Sequence, residues 1–171
     1  KTGTDRIYEA LKKSNIKNVE FIMNLQGDEP AIDTQDLISL NDKMVKCRFN
    51  LGTLASKITN NTHLKNENVV KVITENNLED DNFPKALSFL RKSEKINNIY
   101  HHIGVYCYSK DSLERFVQLS QTKNEIENRL EQFRALDNNI NINVSLAKSA
   151  PIGVDTKEDY LALKKIMEYK D

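Results

Sequence analysis

The stretch NLQGDEP, Asn24 to Pro30, closes a short and almost unbroken apolar run in which Val19, Phe21, Ile22 and Met23 crowd together. A run of that length, ended by Gly27 and Pro30, reads as a strand buried on both faces of a parallel sheet and delivered into a tight turn. In open α/β sheets ligands gather beyond the carboxyl ends of the strands, where the loops splay apart. Asp28 stands at such an end. Gly27 permits a close backbone approach and Pro30 stiffens the exit, so the carboxylate of Asp28 is held on a short backbone. Such a group suits Mg²⁺, which takes one or two acids together with waters and phosphate oxygens. The alternative at this point is an ordinary strand-ending turn with solvated acids, because Gly, Asp and Pro favour turns on conformational grounds alone.

Working outward, GTDRIYEALKKSN ahead of this strand sets Ile7, Ala10 and Leu11 at helical spacing, with Thr4 or Asp5 as N-cap, and predicts a helix from about Thr4 to Ser14. Behind it, DTQDLISLNDKMVKCR places Leu37, Ile38, Leu40, Met44 and Val45 after an Asp33 or Thr34 cap, and the apolar NLGTLASKI follows. Helix and strand alternate twice, which points to an α/β fold. NVVKVITENN and KALSFLR then read as two strands joined by a polar loop, and IYHHIGVYCYS as an aromatic and β-branched strand, so a mixed sheet is expected in this part. KDSLERFVQL and NEIENRLEQFRALDNN are helical, the second with Ile126, Leu130, Phe133 and Leu136 as one apolar stripe. A strand, INVSLA, and a helix after DTKED, capped by Thr156 and Asp159, complete the chain.

Composition bounds the function. The 171 residues, 39% hydrophobic, suffice for one domain over 1–171 with a real core. Lys and Arg number 25 against 25 Asp and Glu, so no overall field draws the protein to nucleic acid or to an anionic membrane. No apolar stretch approaches the roughly 18 residues needed to span a bilayer. Cys47 and Cys107 lie far apart and outside any CxxC pattern, which suits a reducing, cytoplasmic setting better than a disulfide scaffold or a zinc site.

Other stretches carry candidate chemistry. Asp155, in PIGVDTKED just before the last helix, is a second loop carboxylate, although capping and the helix macrodipole favour Asp there without any ligand. Four of the five glycines, Gly3, Gly27, Gly104 and Gly153, fall inside the stretches singled out on other grounds. In YHHIGVYCY, His102, Gly104 and Tyr106 alternate, so a strand presents imidazole and phenol on one face. Both groups can donate hydrogen bonds to a hydroxylated or anionic substrate, or serve structure alone. Arg91 can clamp a carboxylate in bidentate fashion or stand as a solvated strand end. Glu131 and Gln132 sit beside an apolar stripe, where a helix-surface salt bridge from Glu131 to Arg134 is the default. There is no P-loop, no zinc spacing and no Ser, His and Asp motif.

Taken in order, these pieces resemble one family, the 3-deoxy-manno-octulosonate (Kdo) cytidylyltransferases, or CMP-Kdo synthetases. TGTDRI resembles the family's SGTDR or SGTER, NLQGDEP its VQGDEP, NVVKV and ALSFLR its NVVKV and ALYFSR. HIGVYCY is similar to HLGIYGY, LEQFRAL to LEQLRAL and GVDTKED to GVDTPED, so the resemblance runs from Thr2 to about Leu161. It implies a Rossmann-like nucleotidyltransferase sheet with helices on both faces and a smaller mixed-sheet extension. It also implies transfer of CMP from CTP to Kdo with release of pyrophosphate, for lipopolysaccharide synthesis, by a homodimer. By matching motif, Asp28 and Asp155 would bind Mg²⁺. Gln26 and, with a looser match, Arg6 would serve the nucleotide, while Arg91, His102, Tyr106, Glu131 and Gln132 would surround the sugar.

Three departures qualify the resemblance. The family's opening strand and phosphate-wrapping loop, of the form IPARxxSxRxPGKxL, has no counterpart in these residues, so a sheet without its first strands is expected. Without those donors the 171-residue chain by itself is expected to lack appreciable cytidylyltransferase activity. After Arg91 the segment KSEKINN is shorter than the family's Ile-Pro loop, and Lys157 replaces the proline of the Asp-Thr-Pro turn. Two alternatives stand beside the leading one: a CMP-sialic-acid-type synthetase, and a non-catalytic dimerisation or interaction module.

Overall fold

The computed structural model describes residues 2–27, 31–80, 83–94, 97–148 and 157–168. In chain order these form α1 (Gly3–Lys13), β1 (Phe21–Asn24), α2 (Thr34–Cys47), β2 (Leu51–Ser56), α3 (Thr62–Lys65) and β3 (Lys71–Thr74). They continue with a 3₁₀ turn (Leu78–Asp80), β4 (Ala86–Leu90), β5 (Ile99–Ser109), α4 (Lys110–Gln118), α5 (Lys123–Asn128), α6 (Gln132–Asp137), β6 (Asn143–Leu146) and α7 (Lys157–Glu168). The alternation read from periodicity is therefore present, and so are the mixed sheet and the helices on both of its faces.

The sheet has six strands in the order β4-β3-β5-β2-β6, with β1 also paired to β5. The eleven residues of β5 are its spine. Along one edge β5 pairs with β2, from Leu51↔Tyr108 to Ser56↔His101; along the other its first part meets β3 and its last part meets β1. The expectation for β1 needs correction, because β1 is antiparallel to β5 and only half-buried over Phe21–Met23. Among the described residues the parallel pair is β2 with β6. The fully buried strand is β2, whose six residues are all inaccessible, as expected for a strand covered on both faces. Its run LGTLAS carries the continuous apolar signature more faithfully than the run before NLQGDEP does.

Two apolar layers sandwich the sheet. On one face Leu40 and Met44 of α2 meet Leu54, Ile103, Val105 and Cys107. On the other, Leu113 and Phe116 of α4, with Leu130 and Ala135, cover Val72, Phe89, Tyr100 and Tyr108. The N-cap of α1 is Thr2 rather than Thr4 or Asp5, its backbone N–H donating to the Asp5 carboxylate at 2.8 Å. Asp33 caps α2 as expected, accepting from the Gln35 N–H at 2.8 Å.

The long helix expected over 124–139 is instead two short ones. Arg129 adopts a left-handed conformation, φ 53°, between α5 and α6, and Ile126 is left 60% exposed. The single stripe fails because α5 turns its Glu125 inward, not Ile126; Thr122 and Glu125 form the capping box that starts α5. Cys47 and Cys107 are both free, and among the described residues no helix is long and apolar enough to cross a membrane. The capping pair expected at Thr156 and Asp159 lies outside the described residues and side chains.

Gly52 lets α2 close on β2. A Cβ there would fall 2.7 Å from Met44 Sδ and 3.0 Å from both Leu40 Cδ1 and Phe83 Cζ. Gly52→Ala is accordingly expected to lower stability by about 1–3 kcal/mol, read as an earlier urea midpoint at unchanged m-value.

Candidate functional site

The carboxyl end of β1 opens onto a cavity of about 310 Å³ bordered by Gly3, Arg6, Asn24, Gln26 and Gly27. Gln26 lines it beside two glycines. A Cβ on Gly3 would lie 3.5 Å from Gln26 Nε2, and one on Gly104 would lie 3.7 Å from Gln26 Cγ. Gly3 of α1 and Gly104 of β5, far apart in sequence, thus both adjoin the Gln26 side chain, with room for a Cβ at either position. Arg6 borders the same cavity from α1. Asp28 and Asp155 lie outside the described residues, although Gly27, the residue before Asp28, lines the cavity.

The aromatic face of β5 continues this site. His102 and Tyr106 stand with ring centroids 5.5 Å apart, and Tyr106 and Tyr108 with centroids 6.1 Å apart. The alternation expected of His102 and Tyr106 survives a bulge. Leu54 pairs with Ile103 but Thr53 pairs with Tyr106, so β5 carries two extra residues at this point and side-chain parity is kept. Burial, with repulsion from His101, lowers the His102 pKa to about 3; burial, with His63 and Lys71 nearby, lowers that of His101 to about 4. Both imidazoles are neutral at pH 7. Burial, together with Tyr108 and Glu131, pushes the Tyr106 phenol well up, so it too stays protonated.

Glu131 reaches this face through an ion pair. The guanidinium of Arg134 donates to Glu125 from Nε at 2.8 Å and from Nη2 at 2.5 Å, and both side chains are only 4% exposed. Arg134 also lies 4.8 Å from the Phe116 ring centroid. The bridge expected between Glu131 and Arg134 is also present, at 3.9 Å, but on a buried guanidinium whose closer partner is Glu125. Glu131 is also bonded by the Thr2 hydroxyl at 2.5 Å, joining α6 to the start of α1. Gln132, next in the chain, is buried.

Arg91 sits at the end of β4 with three donors on backbone carbonyls: Nε to Asn128 at 3.0 Å, Nη1 to Glu67 at 3.1 Å and Nη2 to Arg129 at 3.2 Å. Its own carbonyl accepts from Nζ of the fully buried Lys71 at 2.6 Å. Lys71, read from the sequence only as part of a strand, is one of the positions sequence reasoning missed; a lysine inside an apolar strand run was the available signal. Thr53, polar within the apolar LGTLA, is another.

The cytidylyltransferase family model matches residues 1–142. The 3-deoxy-manno-octulosonate cytidylyltransferase of Bartonella tribocorum is 36% identical over 98% of this chain, which spans 69% of that relative. That of Paramagnetospirillum magneticum is 38% identical over 92% of this chain and 65% of its own length. A solved structure of CMP:2-keto-3-deoxy-manno-octonic acid synthetase complexed with CTP superposes with TM-score 0.86 at 28% identity, covering 100% of this chain and 70% of that one.

Two outcomes follow from the buried ionisable groups. Arg134→Met strands the Glu125 carboxylate and is expected to cost about 3–5 kcal/mol in urea unfolding, while Arg134→Met combined with Glu125→Leu costs less. His101 and His102 have folded pKa values below the unfolded one, so unfolding takes up protons in acid. Stability is expected to fall as pH drops from about 6.5 toward 4, with a slope approaching two protons in denaturation curves collected across pH.

Proposed function

The chain belongs to the cytidylyltransferase family, and from that premise we propose that it transfers CMP from CTP to Kdo with release of pyrophosphate. The observation that carries this reading is the superposition on a CTP-bound CMP-Kdo synthetase, with the Gln26 cavity at the end of β1 and the aromatic face of β5 beside it. The anomeric hydroxyl oxygen of Kdo attacks the α-phosphorus of CTP, the bond to the β-phosphate breaks, and pyrophosphate leaves. Gln26 and Arg6 border the nucleotide side. His102, Tyr106, Glu131, Gln132 and Arg91 are the groups assigned to the sugar.

Each group acts by position and charge. Gln26, hemmed by Gly3 and Gly104, offers an amide that both donates and accepts. Tyr106 remains a phenol and donates, whereas neutral His102 brings no charge that would compete with the phosphates. Holding both reactants on elements fixed to β5 supplies the orientation that in-line transfer requires.

Mg²⁺ belongs to this proposal. Arg6 is the cationic side chain among the described residues lining the Gln26 cavity, so a triphosphate there needs further positive charge. Two carboxylates, Asp28 and Asp155, are hard oxygen donors of the type this ion takes, and they would hold it. When bound, the ion supplies charge neutralisation at the α-phosphate. Among the described residues no cluster of three or more His, Cys, Asp or Glu side chains could hold a metal instead.

A homodimer in the cytoplasm completes the reading. The outer edge of β4 beyond Ala86, whose N–H is taken by the Ile142 carbonyl, ends the sheet beside exposed Leu87 and supports such self-pairing.

The test is pyrophosphate release from CTP and Mg²⁺, measured on the 171 residues and on the chain with whatever its gene encodes ahead of Lys1. Release is expected to require Kdo and to fall at least about a hundredfold in Asp28→Asn and in Asp155→Asn. A preference for a nonulosonate acceptor, or unaltered turnover in both variants, would overturn the reading.

A further inference from the structure

The bulge in β5 places an unassigned residue against the sugar-side imidazole. Thr53 is fully buried in β2, and its Oγ1 lies 3.0 Å from His102 Nε2, 2.7 Å from the Val105 carbonyl oxygen and 3.3 Å from that of Ile103. A hydroxyl owns one proton, and carbonyl oxygens only accept. Two oxygens 2.7 Å apart need that proton between them, so Thr53 donates to Val105. Toward His102 it then has only lone pairs to offer. A hydrogen bond at 3.0 Å therefore requires the hydrogen on Nε2.

The ring is also fixed in orientation. Phe89 meets it edge-on, with centroids 5.0 Å apart and planes at 80°, and Tyr106 lies 5.5 Å away on the same strand. Burial keeps the imidazole uncharged, so a ring protonated at Nε2 has a bare lone pair at Nδ1. Among the described residues no hydrogen bond is made at Nδ1.

We propose that Thr53 is a positioning residue that locks His102 in its Nε2–H tautomer, so that Nδ1 accepts a hydrogen bond from a hydroxyl of the acceptor sugar. The inference rests on the sugar-side reading of His102 given above and deepens it. A lone pair in that place repels a carboxylate and welcomes an O–H, so the acid group of the sugar is excluded from His102 and must be met elsewhere. The bulge is then functional: it turns the carbonyl of Val105 onto Thr53, and that contact decides which nitrogen of His102 is free.

The chain has three histidines, His63, His101 and His102, so long-range ¹H–¹⁵N spectra of ¹⁵N-histidine-labelled protein resolve each ring. The wild type is expected to show His102 as Nε2–H, Thr53→Ser to retain it, and Thr53→Val to give a mixture or the opposite tautomer. Added Kdo is expected to move the Nδ1 resonance of His102 and to bind about tenfold more weakly to Thr53→Val, with CTP binding unchanged and Thr53→Ser restoring affinity. An Nδ1–H ring in the wild type, read without any variant, overturns the assignment. So does a tautomer in Thr53→Val identical to that of the wild type. If the tautomer is as stated but Kdo leaves Nδ1 unmoved, the sugar contact fails while the lock by Thr53 stands, which separates this inference from the proposed function.

Discussion

Backbone hydrogen bonding along both edges of β5 is the constraint on which the remaining structure depends. Three strands take their register from it, and two of these, β1 and β3, share one edge end to end. Because β1 is registered against Tyr106–Ser109, its carboxyl end arrives beside Gly104, and Gln26 is carried onto that glycine. Because β2 lines the opposite edge, Thr53 reaches the carbonyls of the bulge. Gln26 and the pair of Thr53 and His102 therefore meet through one strand, and an error in its register would move both at once.

The second organising element is electrostatic. Burying Glu125 and Arg134 carries a desolvation cost that a bidentate geometry, a capping box and an aromatic neighbour offset. Burial opposes the charge on Glu125, yet the bonds from Arg134 and Gln121 hold its carboxyl below the ordinary value. An apolar pair of similar size could fill that space, but it would not fix the chain path between α5 and α6. The fork draws Arg134 inward and leaves Glu131 facing Thr2, so the ion pair serves the placement of a neighbour more than its own stability.

Much of this was legible in the sequence, and the failures have physical causes. Periodicity located α1, α2, α4 and the strands β3 to β6, and the clustering of glycine picked out Gly3 and Gly104, which adjoin Gln26. The direction of β1 was not legible, because a short apolar run carries no sign of parallel or antiparallel pairing. The break between α5 and α6 was hidden by a stripe that satisfied helical spacing, while the decisive contact, Glu125 with Arg134, joined residues nine apart. Arg91 read as a free cation, and its three carbonyl partners come from segments 24 to 38 residues away. The role of Thr53 required the bulge, which no local pattern announces.

The left-handed turns of this fold divide labour in an unusual way. All six described residues with positive φ are asparagine or arginine, at Asn15, Asn18, Arg48, Asn98, Arg129 and Asn139, and none is glycine. Asparagine tolerates that conformation through its short polar side chain, and it leaves the unfolded chain with less freedom to surrender than glycine would. Corners are thus turned by residues that evolution can exchange at modest expense. Glycine is kept instead at Gly52, where α2 and β2 nearly touch. Drift in composition can remodel the bends of this chain without reaching its seams.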